Sequence, residues 1–150
     1  MENNFGLRQE IAAMRQSFFN DGILSEQFVQ VEQLGDDDPH FLERLLTVYF
    51  RESTQSIAAL ENALELPSCN LRTLERPFHK FKGASASIGA VKVTREIDLA
   101  IQACRDDDVD GAKAAVERIN NEYVILRRRL GDYFQIMRQV GPYERAVRPR

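Results

Sequence analysis

Two histidines, two cysteines and scattered carboxylates are the side chains from which this 150-residue chain could build covalent or metal chemistry. His79 is set apart by its neighbours, in the run Phe78-His79-Lys80-Phe81-Lys82-Gly83-Ala84-Ser85-Ala86-Ser87-Ile88-Gly89-Ala90. A neutral imidazole keeps one ring nitrogen unprotonated near pH 7, which makes it a nucleophile in water. On a helix turning about 100° per residue, Leu74, Phe78, Phe81, Ser85 and Ile88 make one inward stripe. His79 then falls about 140° round from that stripe, with Lys82, Gly83 and Ala86 following it at i+3, i+4 and i+7. The outer face is an imidazole, a cation and two small residues that leave room for a bulky partner. Gly83 costs up to about 1 kcal/mol relative to alanine in mid-helix.

Other chemistries fit less well. Ser85 and Ser87 suggest a hydrolase with His79, but Ser85 lies on the inward stripe and no carboxylate completes a triad at recognisable spacing. Gly83 to Gly89 is not a phosphate loop, because no Lys-Ser or Lys-Thr follows the second glycine. The run Asp36-Asp37-Asp38-Pro39 reads as a helix start, since adjacent carboxylates cannot all converge on a cation. His40, in the first turn of that helix, is expected to be solvated and has no second His or Cys at metal spacing, so no metal site is expected. Cys69 and Cys104 form no CxxC pair and suit a reducing compartment as buried or half-buried thiols.

The string His79-Lys80-Phe81-Lys82-Gly83 through Gly89-Ala90 resembles the HxxKGxxxxxGA signature of histidine-containing phosphotransfer proteins, in particular the plant type that serves cytokinin signalling. The resemblance extends to Phe19-Asn20-Asp21-Gly22-Ile23-Leu24-Ser25-Glu26-Gln27-Phe28 and to Tyr133-Phe134 with the Arg-Gln-Val-Gly-Pro tail, covering nearly the whole chain. It implies a carrier without kinase activity of its own. His79 would take a phosphoryl group from the receiver-domain aspartate of a hybrid sensor histidine kinase and pass it to a response regulator. Phosphorylation would fall on Nε2, by analogy. Lys82 would offset charge on the transferring oxygens, and Lys80, on another face, would add only a general positive potential. Gly83 and Ala86 would give steric access. The carrier itself needs no cofactor, because magnesium would sit in the receiver.

Some plant relatives have lost the histidine, which this chain keeps. It departs from the family at Lys80, where glutamine is usual, and at Pro77. The competing reading is a helical adaptor that binds receiver domains without efficient phosphotransfer. Ile23, Leu24 and Phe28, in the turn between the first two helices, are candidates for receiver docking through apolar contacts, or alternatively belong to the core.

These residues need a scaffold. With 43% hydrophobic and 29% charged residues, no tryptophan and few glycines and prolines, the chain suits one all-α domain. Leu7, Ile11, Met14 and Phe18 mark a short first helix, and Leu24, Phe28, Val31 and Leu34 a second, capped by Ser25 and stopped by Gly35. A third runs from Pro39 to about Leu66 on Leu42, Leu45, Leu46, Tyr49, Ile57, Leu60 and Leu64. A fourth begins near Asn70, with a kink expected at Pro77; alternatively the helix restarts there with Pro77 in its first turn.

A fifth helix carries Val93, Ile97, Ala100, Ile101 and Cys104 and closes at Asp106-Asp107-Asp108. The sixth, about seven turns long, carries Ala112, Val116, Ile119, Tyr123, Leu126, Leu130, Tyr133 and Met137. Its Arg127-Arg128-Arg129 run reads as a solvated face with Glu partners.

The expected architecture is an antiparallel four-helix bundle, residues 39–137, with two additional short N-terminal helices over residues 5–34, six helices in all. Residues 1–137 would be one domain and 138–150 a mobile basic tail. The net charge of −3 and the lack of a long basic stripe argue against nucleic acid, and no apolar run approaches a membrane span. The polar outer faces suit a monomer, and the resemblance implies a protein of cytoplasm and nucleus.

Overall fold

Three sharp stops divide the larger part of the chain, at Pro67, at Ile88-Gly89-Ala90 and at Asp106-Asp107-Asp108. The structure, a computed structural model, describes the backbone of residues 2–140 and the side chains of residues 5–140. Six α-helices occupy them: α1 (Glu2–Asn20), α2 (Gln27–Leu34), α3 (Phe41–Glu65), α4 (Glu75–Ser87), α5 (Val91–Arg105) and α6 (Val109–Val140). Among the described residues there is no strand. No described helix is long and apolar enough to cross a membrane. Helices α3, α4, α5 and α6 pack in a ring, each against the next, and α6 closes the ring on α3. Helix α1 lies along α6, while α2 lies against α4.

The apolar stripes account for this packing. Leu42, Leu46, Tyr49, Ile57, Leu60 and Leu64 of α3 are buried. So are Val93, Ile97, Ala100, Ile101 and Cys104 of α5. The α6 stripe is buried from Ala112 through Tyr133, with Met137 half-buried. Phe18 of α1 meets Tyr133 of α6 edge to face, ring centroids 5.3 Å apart, which fixes the first helix on the last.

The acidic runs act as helix starts. Asp38 accepts a hydrogen bond from the His40 amide and pairs with Arg44; the Arg44 hydrogen bond, with that from His40, holds its carboxyl below the usual range. Asp108 accepts from the Gly111 amide at 2.9 Å. His40 is exposed, and among the described residues no group of three or more His, Cys, Asp or Glu is placed to hold a metal ion.

Several expectations need correction. Helix α1 is 19 residues long rather than short. Leu34 is 74% exposed, whereas Glu32 is buried in its stead. That carboxylate accepts three hydrogen bonds from Arg15, from Nε at 3.3 and 3.0 Å and from Nη2 at 2.7 Å, so a charge on α2 enters the interface as half of an ion pair. Helix α6 has 32 residues, about nine turns, and continues through Arg138, which pairs with Glu43. The basic tail therefore does not start at 138, and residues 141–150 lie outside the described residues. In the arginine run, Arg127 donates to Thr54, and Arg129 pairs with Asp21 at 2.8 Å and donates to Ser17, so threonine, serine and aspartate side chains among the described residues meet these two arginines.

Pro77 does not kink a continuous helix. Leu71–Leu74 form a 3₁₀ turn, opened by the Asn70 side chain accepting from the Arg72 amide, and α4 starts afresh at Glu75. Pro77 sits in the first turn, where the missing N–H would have had no intrahelical partner. A 3₁₀ turn repeats every three residues, so Leu71 and Leu74 share a face and both remain buried without an α-helix beneath them.

Within the core, Tyr49 Oη and Ser85 Oγ lie 2.8 Å apart, which joins α3 to α4 through a buried hydrogen bond. Burial pushes the Tyr49 hydroxyl up to about 12. Because the folded value exceeds the unfolded one, the associated stability is complete below pH 10 and is lost as pH rises from 10 to 12. Urea denaturation across that window should show a loss of about 2–3 kcal/mol that Tyr49→Phe does not share.

Candidate functional site

Helix α4 is anchored through Leu74, Phe78, Phe81, Ser85 and Ile88, all 7% exposed or less. That anchoring leaves His79, Gly83 and Ala86 exposed on the opposite face, with Lys82 half-exposed beside them. A Cβ placed on Gly83 would meet nothing within 4 Å. The glycine therefore serves no packing need of the folded chain, and its effect is to keep ground clear one turn beyond the imidazole.

The other end of α4 has a different constraint. Gly89 has φ +81°, and a Cβ there would stand 2.8 Å from the Phe28 amide nitrogen. Its carbonyl accepts from the Ser25 amide at 2.9 Å, so the close approach of α2 locks the turn that ends α4.

Helix α5, antiparallel to α4, adds charge. Lys82 Nζ lies 2.6 Å from Asp98 Oδ1. Arg105 Nη2 lies 3.4 Å from His79 Nε2, and its Nε donates to Glu75 Oε1 at 3.1 Å. The Lys82 pair is on the surface, where such bridges are worth little and open readily. Lys82 thus remains within reach of an incoming anion, although it starts from a counter-ion.

Lys80 is exposed on the other flank of α4, where with Arg76 and Pro77 it borders an open groove of about 730 Å³ against α3. The structure does not bring Lys80 together with His79. His79 opens the second turn of α4, where the field of the helix N-terminus has already declined.

Ile23, Leu24 and Phe28 are buried, at 5%, 3% and 0% exposure. They join α1 and α2 to the bundle and offer no free apolar surface, so the docking role expected of them does not hold. The residue that sequence reasoning missed is Arg105. The one signal for it was the short turn at residues 88–90, from which positions 75 and 105, like 82 and 98, stand nearly equidistant.

With this geometry in hand, comparison with known proteins decides the family. The Hpt domain model matches residues 44–129. The chain belongs to the Hpt-domain family. It is 37% identical to histidine-containing phosphotransfer protein 4 of Arabidopsis thaliana, over 76% of this chain and 91% of that one. It is 32% identical to pseudo histidine-containing phosphotransfer protein 2 of rice, over 96% of each chain. The crystal structure of a maize histidine-containing phosphotransfer protein superposes with a TM-score of 0.84 at 30% identity, covering 89% of this chain and 99% of that one. Family membership supports a phosphotransfer role in a phosphorelay, and the helical bundle is the fold of the family. The Hpt match starts within α3 and ends within α6, so it spans the four-helix ring and not α1 or α2.

If Gly83 is kept for access and not for folding, Gly83→Ala should raise stability by up to about 1 kcal/mol in urea denaturation. Gly83→Leu should leave the fold intact and slow transfer from a charged receiver domain. A destabilised Gly83→Ala would show that the fold does need the glycine.

Proposed function

We propose that this chain is a histidine phosphotransfer carrier in a multistep relay, in the plant setting that of cytokinin signalling. The observation that carries the reading is the exposed His79 imidazole on a face of α4 kept bare by Gly83 and Ala86. A receiver domain is a bulky donor, and transfer along a roughly straight line needs a ring that stands clear of its own protein.

In the forward step the Nε2 lone pair attacks the phosphorus of an aspartyl phosphate. The P–O bond to the aspartate breaks, the carboxylate leaves with the electron pair, and an N–P bond forms. The ring then carries the phosphoryl group as an imidazolium that retains its Nδ1 proton. Reversal onto the aspartate of a response regulator completes the relay. Magnesium and the remaining catalytic groups belong to the receiver in this reading, and the chain itself acts as carrier rather than kinase. Hybrid sensor kinases supply the group, and response regulators take it.

The experiment is transfer from a receiver domain charged with labelled acetyl phosphate or by its kinase. Wild type should take up label, and His79→Gln should lose uptake completely while keeping its melting profile. Label of undiminished intensity in the variant would refute the proposal.

One observation favours a second reading, that of a receiver-binding adaptor with poor transfer. Asp98 neutralises Lys82, the cation meant for the phosphoryl oxygens. Similarity to a rice protein named a pseudo histidine-containing phosphotransfer protein fits that reading too. The two diverge on Asp98→Asn. A restrained site should transfer several-fold faster once Lys82 is released, whereas an already competent carrier should change by no more than about twofold, as expected for an exposed ion pair.

A further inference from the structure

The seam between α3 and α6 holds an open pocket of about 400 Å³, lined by Thr47, Phe50, Arg51, Thr54, Gln55 and Arg127. None of these residues belongs to α4, which carries His79, and none is a carboxylate. Two guanidiniums, two hydroxyls and an amide thus surround a space with no acid of its own.

Arg127 is held there by neutral groups. Its Nη1 donates to Thr54 Oγ1 at 3.2 Å and to Tyr123 Oη at 3.4 Å, and its Cζ stands 5.9 Å from the centre of the Phe50 ring. The two hydroxyls lie 2.7 Å apart, and both reach the Phe50 carbonyl, Thr54 at 2.9 Å and Tyr123 at 2.6 Å. Their protons are used within that trio, so what they offer Arg127 is lone pairs. The arginine is fixed in place without its charge being cancelled. These contacts occupy Nη1 alone, which leaves the Nε and Nη2 donors of the planar fork for another acceptor. Arg51 and Gln55, exposed and one turn apart on α3, bring a second guanidinium and an amide to the same space.

We infer that this pocket binds a phosphate group, bridging α3 to α6 from outside. A phosphate monoester carries a charge of about −1.5 to −2 near pH 7 and three acceptor oxygens, which two guanidiniums match better than they match a carboxylate. The site is separate from the histidine face, and neither reading depends on the other.

The test is a titration of the full ¹⁵N-labelled chain with sodium phosphate, at ionic strength held constant with sodium chloride, followed in ¹H–¹⁵N spectra of backbone amides and arginine Nε–H groups. Signals of residues 47–55 and 123–127 should move. Two or three charge-assisted bonds correspond to half-saturation at about 1 mM. Arg127→Gln should weaken binding about tenfold and Arg51→Gln about threefold, while Arg128→Gln, outside the pocket, should leave it unchanged. Acetate should bind about tenfold more weakly than phosphate. Acetate binding equal to that of phosphate, shifts that miss these residues, or affinity undiminished in both Arg127→Gln and Arg51→Gln would overturn the assignment. A glycine-flanked phosphoserine peptide separates the two sources of the group. Tighter binding than inorganic phosphate, lost on dephosphorylation, assigns the pocket to a phosphorylated side chain, and binding no tighter assigns it to the free ion.

Discussion

The rotational setting of α4 governs what this molecule can do. Five inward residues, Leu74, Phe78, Phe81, Ser85 and Ile88, fix that setting by burial, and the Tyr49–Ser85 hydrogen bond keys it to α3 from inside the core. Burying side chains as large as Phe78 and Phe81 is worth about 1.5–3 kcal/mol each, far more than any exposed charge contributes. A helix so held cannot turn His79 inward without exposing two phenylalanines. The imidazole is therefore presented by the core, and charges around it are free to rearrange without moving the helix.

That division of labour explains the character of the surface. Helix α5 supplies Asp98 and Arg105, which touch Lys82 and His79 from across the α4–α5 seam. Both contacts are exposed and weak, as suits groups that must exchange one anionic partner for another during transfer. The buried members of α5 are of a different kind. Cys104, next to Arg105, is 2% exposed, and burial pushes its thiol up to about 11, so it packs as an apolar residue and not as a nucleophile.

Much of this was legible in the sequence because it follows from periodicity. The stripes of α3, α5 and α6 and the outward placement of His79, Gly83 and Ala86 rest on side-chain spacing alone, and the structure reproduces them. Legibility failed where one residue's role depends on a neighbour distant in sequence. Glu32 is buried because Arg15 meets it, while Leu34, the last residue of α2, is 74% exposed. Ile23 and Leu24 are apolar residues in a turn, and local sequence cannot say whether such a turn is covered. Pro77 misled for another reason: a 3₁₀ turn before α4 keeps Leu71 and Leu74 in the same phase as an α-helix would. Arg105 was missed because the pairing of α4 with α5 fixes which charges face each other only once both helices are placed.

The central claim is that one solvent-facing ring nitrogen, held in place by the core, accepts the phosphoryl group. Mapping the bound phosphate on the full chain after reaction with a charged receiver tests it most directly, with mass spectrometry to locate the residue and ³¹P spectra to identify the bond. The account predicts a single acid-labile N–P linkage on His79 through Nε2. Phosphate on His40, on a serine or on a carboxylate, with His79 unmodified, would contradict it.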